Sequence, residues 1–201
     1  MTTLAIETST TSGGVAVLRD GEMLLEESFL ADRSHSAVLF AVLERAVAVI
    51  DGGFDLVAIG VGPGSFAGVR IAIAAGLGIQ MALGGTMVGV PSVAVFDDRE
   101  YLAIGDARRE TFYFSHVRQG VCLEGPMLVT EDELHTRLAG TSLPILGTEE
   151  LKGFPNVQIA TPLAGRIARL AATDRGVVSR GDLEPIYLRE PHITLPRVTV
   201  A

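Results

Sequence analysis

The chain has 201 residues, 48% of them hydrophobic, and a formal net charge of −8. That length suits one domain or two small ones with a real core, and the apolar content excludes a disordered chain, which could not offset its ordering entropy. The acidic balance excludes a chain that grips a nucleic-acid backbone alone, because such affinity comes from many Lys and Arg contacts to phosphate. Cys122 is the single cysteine, so no internal disulfide marks an oxidising compartment. The start MTTLAIETST lacks a basic stretch leading into an apolar one, and the expectation is a cytoplasmic chain.

In chain order, Thr3–Ile6 is a short apolar run, Thr10–Gly14 a turn cluster, and Val15–Leu18 apolar again, which reads as a hairpin. Asp20-Gly21 makes a second tight turn into Glu22–Ser28 as a third strand. Ser34 or Ser36 suits the N-cap of a helix running to about Ile50 and stopped by Gly52-Gly53. Then come a buried strand at Leu56–Val61, a loop at Gly62–Gly68, a helix at Val69–Leu83 and a strand at Thr86–Val90. The order β-β-β-α-β-α-β is that of an α/β lobe of the ribonuclease H-like and actin-like ATPase kind, an analogy that speaks to fold and not to function. Residues 1–97 carry a net charge of −6 and residues 98–201 a net −2 from many more charged groups. A lobe boundary is therefore expected at Asp97–Glu100, with 98–201 as a second, reduced α/β lobe. In it Tyr101–Gly105, Thr111–Val117 and Val121–Val129 read as strands. Glu131–Ala139 and Leu163–Thr173 read as helices, the first with Thr130 as N-cap and Glu133 completing a capping box. Pro185–Arg189 is a closing tail.

From Ile71 to Phe96 there are 26 residues without a charge, more than the roughly 18 a membrane helix requires. Gly84-Gly85 and Pro91 interrupt that run, and a helix over 68–83 is only about 24 Å long, short of the ~30 Å hydrocarbon core. A buried helix followed by a buried strand, without membrane contact, is the expectation. Both helices of the first half are nonetheless apolar nearly all round. Ala37–Ile50 carries only Glu44 and Arg45 as charges, and Val69–Leu83 only Arg70 and Gln80 as polar side chains. Ala74, Gly78 and Ala82, and separately Ala72 and Gly76, recur every four residues and let another backbone approach. Two readings fit. The helices pack tightly on each other and on their sheet, or another protein covers one face of the pair, since a large exposed apolar patch invites aggregation.

Chemistry-bearing patterns are sparse. Gly62–Arg70 joins a strand to a helix, where backbone N–H groups could meet a phosphate, but no Lys-Ser/Thr pair makes it a P-loop. Gly62-x-Gly64-x-x-Ala67 matches a relaxed dinucleotide pattern without the acidic residue that should follow about 20 positions on. Glu7, Thr8, Ser9 and Thr10 end the first strand. In an actin-like lobe such a turn faces phosphates while the acid holds Mg²⁺ through water; a hydroxyl-rich hairpin with one exposed carboxylate reads equally well. His35, His116, His135 and His192 show no metal-ligand spacing, and no nucleophile elbow is present.

Leu4–Thr10, Gly62–Arg70, Gly89-Val-Pro-Ser92, Asp106-Ala-Arg108 with Glu110, and Pro185–Arg189, in that order, resemble the TsaB (YeaZ) family of tRNA threonylcarbamoyladenosine biosynthesis. Gly-Pro-Gly-Ser-Phe-x-Gly-Val-Arg is the most specific of these; Ala67 stands where Thr is expected, and Glu7 where Asp is common. The resemblance implies a non-catalytic subunit that pairs with a TsaD-like catalytic subunit, which transfers the threonylcarbamoyl group to adenosine in tRNA. If Gly89-Val90 precedes the position of that subunit's His-x-x-x-His metal site, Ser92 and Phe96 replace both ligands. It further implies a homodimer when the chain is alone, a TsaE-like ATPase as a further partner, and tRNA contact at most indirect. Arg108, Arg109 and Arg118 could form a local patch. No cofactor of its own is implied, with ATP or ADP and Mg²⁺ placed if anywhere at the junction with the TsaD-like subunit. Pairing through the two helices would put Ser36, Leu39, Phe40 and Leu43 at the interface with Gly64, Ser65, Phe66, Gly68, Arg70, Ile71, Ala74, Gly78 and Met81. The other classes left open are an autonomous ATP-using phosphotransferase or hydrolase of the same superfold, and a peptidase.

Overall fold

A computed structural model describes residues 1–30 and 35–189. The first lobe runs β1 (Thr2–Glu7), β2 (Ser12–Arg19), β3 (Glu22–Leu30), α1 (His35–Ala48), β4 (Leu56–Gly60), α2 (Phe66–Leu83) and β5 (Thr86–Val90). Helix α2 starts three residues before the sequence expectation because the Ser65 side chain caps it, accepting the Gly68 N–H at 3.2 Å. The alternative cap at Ser34 lies outside the described residues, as does the Ser36 side chain.

Alternation along the strands sorts large from small residues. Leu4 and Ile6 of β1, Val15 and Val17 of β2, and Val57 and Ile59 of β4 face a core with Leu39, Val42 and Ala46 of α1 and Ala72 and Ala75 of α2. The intervening Ala5, Ala16 and Ala58 point to the opposite side of the sheet, where small side chains let a helix lie close. That helix is α4 (Ala164–Ala172), packed through Ala164, Ile167, Ala168 and Ala171. The strand β11 (Ser179–Arg180) then joins the sheet beside β5, giving the order β11-β5-β4-β1-β2-β3.

The division at 97/98 is corrected by this return. The second sheet holds β6 (Glu100–Asp106), β7 (Thr111–Arg118), β8 (Val121–Thr130), β9 (Ile145–Gly147) and β10 (Gln158–Ile159), ordered β10-β9-β6-β7-β8. Helix α3 (Glu131–Leu138) covers one face with the expected capping box: the Glu133 N–H donates to Thr130 Oγ1 at 3.3 Å and the Thr130 N–H to Glu133 Oε2 at 2.8 Å. Beyond residue 160 the apolar stripe of α4 belongs to the first lobe. Sequence position placed it with its neighbours in the chain; burial placed it under the alanines of β1, β2 and β4.

Candidate docking face and interlobe cleft

Helices α1 and α2 lie side by side on one face of the first sheet, with a groove of about 670 Å³ between them. Phe40, Leu43 and Val47 line one wall, Ile71, Ala74 and Gly78 the other, and Glu44 is its one charged residue. The outer surface is apolar as well: Phe40 is 56% exposed, Leu77 47% and Met81 81%. The two small-residue series in α2 have separate tasks. Ala72 and Gly76 face the sheet, and a Cβ on Gly76 would come within 2.7 Å of Ile59 Cδ1. Ala74, Gly78 and Ala82 face outward, with open space around Gly78.

The expected interface residues therefore divide. Phe40, Gly64, Phe66, Arg70, Ala74, Gly78 and Met81 are exposed, while Ser65 and Ile71 are half-buried. Leu43 is buried but lines the groove. Leu39 and Gly68 do not belong to the face. Leu39 is wholly within the core, and a Cβ on Gly68 would sit 1.9 Å from the Thr8 carbonyl oxygen, so this glycine serves the close approach of α2 to the β1 turn.

The turn after β1 departs from the phosphate-facing expectation. Glu7 is fully buried; its Oε1 accepts the Ser9 N–H at 2.5 Å, and its Oε2 has no partner and lies against Gly60. Burial pushes its carboxyl above the ordinary value, against the smaller opposing pull of the Ser9 N–H. The Thr8 hydroxyl donates to the Gly68 carbonyl at 2.8 Å. Of Glu7, Thr8, Ser9 and Thr10, the last two line the cleft between the lobes. A carboxyl in this position does not fit the role of holding Mg²⁺ through water, so the actin-like nucleotide arrangement is not reproduced by Glu7 and Thr8.

That cleft, about 630 Å³, is bounded by Ser9–Thr11 and Gly62–Phe66 on the first lobe and by Asp106–Arg108, Tyr113 and Glu149 on the second. Pro185–Arg189 runs along it as a strap. The Tyr113 hydroxyl is pushed up to about 12 by burial. Arg108, Arg109 and Glu110 have left-handed backbones, with φ of 66°, 54° and 58°. Among the described residues, no group of three or more His, Cys, Asp or Glu could hold a metal.

A family model described as TsaD: tRNA N6-adenosine threonylcarbamoyltransferase matches residues 29–124, the stretch that includes α1 and α2. The tRNA threonylcarbamoyladenosine biosynthesis protein TsaB of Haemophilus influenzae is 28% identical, with 94% of each chain covered. An uncharacterised protein of Mycobacterium leprae is 31% identical over 94% of this chain, which spans 55% of that relative's length. Among solved structures, YeaZ from Pseudomonas aeruginosa superposes with a TM-score of 0.71 at 23% identity, covering 86% of this chain and 92% of that one. The chain is thus similar to TsaB and YeaZ proteins in sequence and in fold.

Ser92 and Phe96, the two residues that follow Gly89-Val90 at the spacing noted in the sequence, have structural roles. Ser92 is buried and its Oγ accepts the Gly62 N–H at 3.0 Å, anchoring the loop that leads to α2. Phe96 is buried beside Tyr101, with ring centroids 6.1 Å apart. Sequence reasoning missed Tyr187. A lone aromatic in a Pro-containing tail has no periodicity, and only the fold brings it to Phe66, at 5.3 Å between centroids.

Proposed function

We propose that the chain is a non-catalytic scaffold and activator subunit that pairs with a TsaD-like catalytic subunit for threonylcarbamoyl transfer to adenosine in tRNA. The observation that carries this reading is the apolar face of α1 and α2, with Phe40, Leu77 and Met81 largely exposed around a groove floored by small residues. A patch of this kind on an acidic chain marks a protein contact. The match of residues 29–124, which include both helices, to a TsaD model supports the choice of partner. The name of the Haemophilus influenzae relative supports the pathway.

In this reading the chain alone forms a homodimer through the same face, and a TsaE-like ATPase joins the assembly afterwards. ATP or ADP with Mg²⁺ enters at the junction with the partner and not through Glu7. The acidic first lobe leaves tRNA to the catalytic subunit, and the setting is cytoplasmic. The test mixes the purified chain with the TsaD-like subunit and follows co-elution and tRNA modification. Ala74→Glu and Ala41→Glu, both at exposed positions, should abolish pairing and lower modification while circular dichroism stays unchanged. Pairing retained in both variants rejects the reading.

A further inference from the structure

We propose that the strap from Gly181 to Arg189 is part of the docking face and transmits partner binding to the second lobe; this rests on the pairing proposed above. The strap leaves the first sheet after β11 and stays attached to that lobe through the Ile186 N–H, which donates to the Val61 carbonyl at 2.8 Å. Leu183 and Ile186 pack on the first-lobe core, whereas Leu188 packs on the core of the second. The Arg189 guanidinium then donates to the Arg108 carbonyl at 3.0 Å and to Thr111 Oγ1. Those bonds add to the turn's own, among them the Ala107 N–H to the Thr111 carbonyl at 2.9 Å, and tie the strap to the β6–β7 turn with its three successive left-handed residues.

Between these attachments stands Tyr187, 45% exposed, packed on the 47% exposed ring of Phe66. The Arg70 guanidinium lies 5.1 Å from the centre of the Phe66 ring and has no acidic partner among the ion pairs of the described residues. Phe66, Arg70, Ala74 and Leu77 succeed one another at helical spacings of three and four, so this aromatic and cationic cluster continues the exposed stripe of α2. The face thus ends on a strap residue two positions from the arginine that grips the second lobe. A partner covering the stripe covers Tyr187 too, and supplies a carboxylate where Arg70 is exposed. Large aromatic and Arg side chains of this sort dominate contact energetics.

The experiment uses the full chain and the TsaD-like subunit, with affinity from calorimetry and amide hydrogen exchange on both states. Tyr187→Ala is expected to weaken binding about tenfold or more, and Arg70→Glu likewise, whereas Tyr187→Phe keeps the ring and binds like the parent. Partner addition should slow exchange at residues 185–189 and also at 106–111, and Arg189→Ala should remove only the second effect. Unchanged affinity in Tyr187→Ala, alongside binding lost in Ala74→Glu, overturns the strap's role and leaves the pairing intact. Slowed exchange at 106–111 that persists in Arg189→Ala overturns the transmission. A parent chain that fails to bind overturns the pairing itself.

Discussion

The two faces of the first sheet carry helices of opposite character. Helix α4 buries Ile167, Ala168 and Ala171 against the sheet and turns Arg169 outward, so one apolar stripe is fully used. Helices α1 and α2 bury Leu39, Val42, Ala72 and Ala75 in the same way, yet present Phe40, Leu77 and Met81 on the side away from the sheet. The difference separates apolar residues that the fold needs from those it does not. What α4 buries is explained within the chain; the outer apolar residues of α1 and α2 are not used by its fold.

Substitutions can break that comparison. The largest loss of stability is expected for Ile167→Ala, which empties a fully buried site beneath α4 and should cost about 2–5 kcal/mol in denaturant unfolding. Gly68→Ala should follow at about 1–3 kcal/mol, since the added Cβ meets a backbone oxygen that has no room to give. Gly78→Ala points the other way. With open space around its Cα, the isolated chain should gain up to about 1 kcal/mol from helix propensity. Leu77→Ala is expected to change the isolated chain least, by under about 0.5 kcal/mol, while weakening pairing. A large stability loss in Leu77→Ala would show that the outer stripe is core after all.

Glu7 sharpens the contrast by pH. Burial lifts its carboxyl above the 4.5 of an unperturbed group, so the folded chain favours the protonated form. Below that value both states are protonated and the group costs nothing. As pH rises past it, ionisation favours the unfolded chain, and the cost accumulates until the folded pKa is reached. Glu7→Gln keeps an acceptor for the Ser9 N–H and should unfold like the parent at pH 4 but resist denaturant better at pH 8. A variant less stable at pH 8 would assign the carboxylate a favourable role.

Much of the first lobe was legible because its signals are local. Asp20-Gly21 turns the β2–β3 hairpin, Thr130 with Glu133 caps α3, and the alternation in β1, β2 and β4 follows directly from the two-residue strand period. The short strands β9, β10 and β11 were not legible, because two or three residues carry no period and pair only where a neighbouring edge awaits them. The exposed apolar face was half legible. Missing charge marked α1 and α2 as unusual, but helical spacing alone could not tell which small-residue series met the sheet and which met solvent.

By itself, the sequence determined the order of elements in the first 90 residues, the excess of apolar residues on two helices and the motifs shared with its relatives, because each is written in residues adjacent or periodic along the chain. Tertiary structure alone decided that α4 returns to the first lobe, that Glu7 turns inward from the cleft, and that Tyr187 meets Phe66. Those outcomes depend on which distant surfaces come together, and Phe66 and Tyr187, far apart in the chain, become neighbours only when both lobes and the strap are in place.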